Sequence, residues 1–315
     1  MKENTPYALG HNIYLIDGFY MGVSQVAGSY VICDEHLTLI DTSASPSVPR
    51  ILAGLKALQL APEQVEYIIV THIHLDPAGG AGLLLQHCPQ AKVVVHPRGA
   101  RHLADPSRLI ESSKAIYKEA FSRLFDPIVP IPQERLIIKG DGETLTIGPG
   151  RTLRFLDTPG HARHHFCIYD PKSKGIFSGD TLGCRYPKLE ALGGKLFVPV
   201  TTPNHFDPEA MKNSIERIME LELEGIYFGH FGMSQEVDEV HRQLLYWLDI
   251  YVSEGERAYQ EGLEVEKLAE RLLNRLVTHH RELNLANHKE LYSLLRNDTS
   301  LSAMGIYDYL QKVKG

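Results

Sequence analysis

A short apolar run, Tyr67-Ile68-Ile69-Val70, passes directly into Thr71-His72-Ile73-His74-Leu75-Asp76-Pro77-Ala78-Gly79-Gly80. The run is rich in β-branched residues and reads as a buried strand. Just past it, His72, His74 and Asp76 place three metal-ligand side chains within five residues. Several ligand atoms must lie about 2 Å from one ion, so a metal site needs clustering of this kind. The glycines that follow suit a tight backbone opening a helix.

The rest of the chain supplies strands to either side. Residues 11–16, 28–33 and 37–41 read as a meander, the last ending in Asp41. Helical spacing follows over 49–60, closed by Pro62, and again after the motif over 81–87. Residues 92–95 form a strand, 98–125 are helical with a break at Asp105-Pro106, and 136–138 and 143–147 are strands. Residues 153–156 run into Thr158-Pro159-Gly160-His161. Strands at 165–169 and 175–178 follow, the second running into Gly179-Asp180. Residues 183–206 read as a long loop, Asp207-Pro208-Glu209 as the capped start of a helix to about Leu221, and 225–228 as a last strand before Gly229-His230. From 234 to 313 the apolar spacing is helical throughout, interrupted near Glu261-Gly262 and at 284–287. A division follows at residue 232, with a mixed sheet-and-helix domain over 1–232 and a helical region over 233–315.

Composition narrows the function classes. Of 315 residues, 43% are apolar and 23% charged, with a net charge of −7, so no basic face for nucleic acid is evident. No apolar run reaches about 18 residues, and no membrane span is expected. The N-terminal MKENTPYALG is polar and lacks the apolar core of a signal peptide. Cys33, Cys88, Cys167 and Cys184 are scattered without a C-x-x-C, which suits a reducing cytoplasm. Histidine is the excess, at 16.

Four segment ends carry ligand-type residues beside a Gly or Pro: His72/His74/Asp76, His161, Asp180 and His230. In their order and contexts (THIHLDP, TPGHARHH, SGDT, FGHFG) they resemble the metallo-β-lactamase-fold superfamily over about residues 10–232, and Asp41 matches that family's acid at the end of an early strand. The resemblance implies an α/β (α+β) fold, a four-layer αβ/βα sandwich with the metals at one edge of the paired sheets and here a C-terminal helical extension. By position it makes His72, His74 and His161 ligands of one metal, and Asp76 and His230 ligands of a second. Asp180 bridges the two, and Asp76 also orients a hydroxide. Imidazole and carboxylate donors suit Zn²⁺ first, with Fe or Mn²⁺ as alternatives, so the cofactor expected is one or two divalent transition metals.

One position departs from the family pattern. Pro77 stands where a second histidine follows the aspartate, and proline has no donor atom. His164, His165 and His205 are the candidate substitutes, with strand, loop or supporting roles as the plainer reading. Asp41 reads equally as a hydrogen-bond partner behind the ligands or as a cap. Tyr20 and Tyr186 lie in segments that could line the site, though lid packing is the commoner use of loop aromatics. The C-terminal helices read as a substrate cover, a homodimer surface or plain packing. The function expected is a cytoplasmic metal-dependent hydrolase whose metal-bound hydroxide attacks an ester, thioester, lactone or phosphoester of a small molecule. The alternative is a non-hydrolytic metal- or ligand-binding protein, or a di-iron redox protein, on the same fold. The iron–oxygen relatives usually carry Glu where His74 stands, which leans against that alternative. Neither nucleic acid nor membrane is expected as a partner.

Overall fold

The strands read from the sequence fall into two sheets. The computed structural model describes residues 5–314; the first four residues of the polar N-terminal stretch and residue 315 lie outside it. The first sheet is built in chain order from β1 (Tyr7–Ala8), β2 (Ile13–Asp17), β3 (Gly28–Ile32), β4 (Leu37–Ile40), β5 (Val65–Ile69), β6 (Lys92–Val95) and β7 (Leu136–Ile138). β1 to β4 are antiparallel, and β4 to β7 run parallel. Parallel neighbours need crossovers. These are α1 (Val48–Ala57), then α2 (Leu75–Ala78) with α3 (Ala81–Leu85), then α4 (Ala100–Ala104), α5 (Ser107–Tyr117) and α6 (Phe121–Phe125).

The second sheet holds β8 (Thr144–Gly148), β9 (Arg151–Asp157), β10 (Phe166–Asp170), β11 (Gly175–Arg185), β12 (Phe197–Val198), β13 (Gly225–His230) and β14 (Met233–Ser234). Its order is β14-β13-β11-β10-β9-β8, with β12 pairing on β11. The remaining helices are α7 (Pro187–Glu190), α8 (Pro208–Met219), α9 (Val237–Gln260), α10 (Val265–His279) and α11 (Lys289–Lys314). Among the described residues no helix is long and apolar enough to cross a membrane.

The chain divides into two units. One comprises Met1–Asp157, His164–Gly179 and Glu222–Gln235, the other Thr158–Arg163, Asp180–Leu221 and Glu236–Gly315. The last crossing, after Gln235, falls near the change of pattern at residue 232, but two earlier segments also go with the helices. In the first unit the inner faces of the sheets meet in one core. There Ile40, Ile69 and Val94 pack with Phe155, Phe166, Phe177 and Tyr227. The other face of the first sheet is covered by Ile51 and Leu55 of α1 and by Ala81 and Leu84 of α3. Burial on both faces explains the apolar residues Ile68 and Ile69 of β5 and Val93 to Val95 of β6. Tyr30 ties the sheets together, its hydroxyl lying 2.6 Å from the Phe228 carbonyl and 2.7 Å from that of Gly232. In the second unit, Trp247, Leu248 and Tyr251 of α9, Leu268, Leu272 and Leu276 of α10, and Leu295 and Ile306 of α11 are all buried.

Three sequence expectations are corrected. β11 does not stop at Ser178 but runs on to Arg185, so Asp180 lies inside a strand. Gly-Asp is a common turn pair, but Gly179 takes a left-handed φ of 48° inside the strand, and pairing resumes with Cys184 opposite Val198. The supposed loop 183–206 therefore contains the end of β11, α7 and β12. His230, likewise, is the last residue of β13 rather than part of a following turn.

Candidate metal centre

The parallel strands β4 and β5 end side by side, and their loops interlock. Thr42 N–H donates to Pro77 O at 2.7 Å, Gly80 N–H to Ser43 O at 2.9 Å, and the Ser45 hydroxyl to Gly79 O at 2.8 Å. Asp41 and Ser43 take left-handed φ values of 56° and 53° to make this latch. Strain of that kind persists only where surrounding bonds over-determine it. His74 precedes the first turn of α2, and Asp76 lies within that turn. The His72 and His74 rings stand 4.7 Å apart at 86°, and their ligand nitrogens lie within 4.8 Å of one another.

Behind His72 is a chain of hydrogen bonds. Asp41 accepts from Thr71 N–H at 2.8 Å, and the Thr71 hydroxyl lies 3.0 and 3.1 Å from its two carboxylate oxygens. Thr71 Oγ1 is also 3.1 Å from His72 Nδ1. A carboxylate only accepts, so the single Thr71 proton goes to Asp41, and His72 Nδ1–H donates to Thr71 Oγ1. The Nε2 lone pair is then the one with which His72 could hold a metal. Asp41 thus acts behind His72, through Thr71. Asp76 and His230 meet elsewhere in the same unit, with Oδ2 3.7 Å from Nε2, both side chains partly exposed.

The second unit carries the other pair. His161 Nε2 lies 3.3 Å from Asp180 Oδ2, with both side chains buried. His161 Nδ1 lies 2.9 Å from the Val200 carbonyl, which only accepts, so Nδ1 is protonated and Nε2 is the ring nitrogen left to act as a ligand atom. Asp180 directly follows Gly179 in β11, and His161 lies four residues beyond Asp157, the end of β9.

Of the candidate substitutes, His164 stacks parallel to His72, with centroids 6.4 Å apart, and stands edge-on to His74 at 5.3 Å. His165 lies 4.9 Å from His72 with its ring tilted by 31°, and a side chain at Gly179 would collide with its Nε2. His205 is held below the usual imidazole range by burial first, then by the charges of Arg163 and Lys312. Tyr20 packs against Phe125, and the buried Tyr186 hydroxyl donates to Asp298 at 2.8 Å, so both are packing residues. Two contributors escaped the sequence reading. Thr71 stood in view beside His72 but carries no ligand atom of its own. Val200 acts through a backbone carbonyl, which no sequence pattern marks.

These imidazole nitrogens and carboxylate oxygens are donors of the kind that can hold a divalent metal ion. The family model of the metallo-beta-lactamase superfamily matches residues 25–230. The chain is 29% identical over 227 residues to the metallo-beta-lactamase fold-containing protein ST1585 of Sulfurisphaera tokodaii, covering 70% of this chain and 79% of that one. The crystal structure of ST1585 superposes with a TM-score of 0.61 at 26% identity, over 73% of this chain and 84% of that one. The metallo-beta-lactamase family protein TTHA1429 of Thermus thermophilus shares the fold over 97% of this chain and 95% of its own, C-terminal helices included, with a TM-score of 0.69 at 20% identity. A putative diflavin flavoprotein of Nostoc is 28% identical over 158 residues, half of this chain but 24% of that protein. The α/β sandwich expected from the sequence is the one found, and the chain belongs to the metallo-beta-lactamase superfamily.

Proposed function

We propose that this protein is a metal-dependent hydrolase of a small-molecule ester, thioester, lactone or phosphoester. In this reading His72, His74 and His161 hold one divalent ion, Zn²⁺ in the first instance. Asp76 and His230 hold a second, and Asp180 serves both. The observation that carries the proposal is the protonation pattern: in His72 and His161 the Nδ1 proton is committed to an oxygen, leaving Nε2 as a donor. An ion bound there supplies Lewis acidity, lowering the pKa of water and polarising the substrate oxygen.

The chain's own groups divide the remaining work. His161 and Asp180, both buried, keep water away from their side of the centre. Asp76 and His230, at 23% and 18% side-chain exposure, are the members an incoming substrate can reach. Asp76 is the catalytic carboxylate: it orients the attacking water and accepts its proton. The net charge of −7 favours a small substrate over nucleic acid. Cys33, Cys88, Cys167 and Cys184 form no disulfide, which fits a cytoplasmic setting. The protein purified without chelator is expected to carry a transition metal and to cleave a member of an ester, thioester, lactone and phosphoester panel. Absence of metal together with unchanged turnover in His72→Ala would sink this reading.

A second reading, a di-iron redox protein, is favoured by the likeness to the diflavin flavoprotein over half of this chain. An iron absorbance band that responds to O₂ supports it, and turnover with Zn²⁺ or Mn²⁺ alone excludes it.

A further inference from the structure

We infer that α11 positions the His161 imidazole, with Thr201 and Gly305 as the positioning residues that connect the C-terminal helix to the site. The inference rests on the metal-centre reading above and assigns a role to the C-terminal helices within it.

His161 sits on no helix or strand. Its backbone neighbours are held from one side. Asp207 N–H donates to Gly160 O at 2.9 Å, and the Ser214 hydroxyl of α8 donates to Pro159 O at 2.6 Å. The ring is oriented separately, by the bond from Nδ1 to Val200 O. Whatever holds Val200 therefore sets where His161 Nε2 points. Residues 199–205 have no regular structure after β12 ends at Val198. One face of α11 holds this segment. The buried Thr201 hydroxyl donates to Ser302 O at 2.9 Å, Asn204 N–H to Asp308 Oδ2 at 2.9 Å, and Lys312 Nζ to Asn204 O at 2.9 Å. Ser302, Gly305, Asp308 and Lys312 follow the helical repeat and share that face.

Gly305 is where the two backbones touch. A Cβ there would lie 2.7 Å from Thr201 C and from Thr202 N, and 2.8 Å from Thr201 O. Those atoms are backbone, so any side chain at 305 displaces the residue next to Val200. The path from the last helix to a ligand nitrogen is short: Gly305 and Ser302, then Thr201, then the Val200 carbonyl, then His161. Groups that orient a ligating imidazole typically change metal affinity 10- to 100-fold when removed.

The test uses the full chain and three variants. Thr201→Val removes the bond to Ser302, Thr201→Ser keeps it, and Gly305→Ala pushes the segment while leaving α11 a better helix former. Zn²⁺ titration against a competing chelator reads affinity. Long-range ¹H–¹⁵N spectra of the metal-free protein read the tautomer of His161. Expected are a loss of about tenfold or more in the tightest Zn²⁺ affinity for Thr201→Val and Gly305→Ala, near-wild-type affinity for Thr201→Ser, and loss of the fixed Nδ1–H tautomer in the first two. If Gly305→Ala fails to fold, Thr201→Val and Thr201→Ser decide. Wild-type affinity and an unchanged His161 tautomer in Thr201→Val overturn the inference. A wild-type protein that binds no Zn²⁺, while the variants still shift the tautomer, overturns the metal-centre reading and leaves the positioning role standing.

Discussion

Replacing Thr71 by valine removes one hydroxyl from the centre of the Asp41–Thr71–His72 chain while keeping the side-chain volume. Asp41 keeps the bond from Thr71 N–H at 2.8 Å but loses the hydroxyl at 3.0 and 3.1 Å. A hydrogen bond to a charged group is worth about 1.5–3 kcal/mol, and Asp41 is 3% exposed, so water does not replace it. His72, fully buried, loses the acceptor for its Nδ1 proton, which lay 3.1 Å away. That proton can stay unsatisfied, at about 1–3 kcal/mol, or move to Nε2 and occupy the metal-binding nitrogen. The second route is open to the metal-free protein, so the loss appears as weaker metal binding. The expected drop is about 10- to 100-fold, or about 1.4–2.8 kcal/mol. Zn²⁺ competition titration reads the affinity, and urea unfolding of the metal-free chain reads the Asp41 contribution. Thr71→Ser restores both. Wild-type affinity in Thr71→Val, with stability lowered as expected, would show that the chain supports the fold alone and sets nothing at the metal.

Pro77→His should strengthen binding of the second ion, because the residue-77 carbonyl can still accept from Thr42 while a donor side chain is added; unchanged stoichiometry and affinity would count against a missing ligand. Arg151 is fully buried, pairs with Asp170 Oδ2 at 2.6 Å and donates to His11 O at 2.8 Å. Arg151→Met strands a buried carboxylate and should cost about 3–5 kcal/mol in chemical unfolding. Arg242 first, and then Gln243, hold Glu239 down from 4.5 to about 2. A carboxylate depressed in the folded state stabilises above its unfolded value and loses that contribution as pH falls towards about 2. Wild type and Glu239→Gln should therefore differ in stability above about pH 5 and converge at the acid end. Parallel curves would contradict this.

The sequence revealed most of the fold because the packing here obeys local rules. β6 and β7 fall where their apolar runs do, and the helical spacing after residue 234 becomes α9 to α11 with breaks at 261–264 and 280–288. The failures share a cause. Gly179-Asp180 reads as a turn, yet Gly179 takes its left-handed φ of 48° inside β11, where an added Cβ would collide with His165 and Thr71. The groups that leave room only for glycine there are remote in sequence. The ligand-type residues were visible because their chemistry is rare and their contexts are ordered. The groups that aim them were not. A threonine hydroxyl, a valine carbonyl and a glycine on the last helix have no signature until the chain brings them to their targets.

Pro77 illustrates how one residue can be a loss on one count and a gain on another. It removes a donor side chain, but its carbonyl accepts from both the Thr42 backbone at 2.7 Å and the Thr42 hydroxyl at 2.9 Å. As the third residue of α2, it occupies a position whose N–H has no partner within the helix, so proline costs nothing there and its fixed φ suits the turn. The latch it completes holds Asp41, and Asp41 holds Thr71 and so His72. Proline at this position therefore stiffens the support of one ligand group while withdrawing a donor from the other. Such a trade predicts two unequal metal affinities: a tight ion at His72, His74 and His161, and a weaker, exchangeable one at Asp76 and His230. Two equal, tight sites in an equilibrium titration of the wild-type protein would refute that asymmetry.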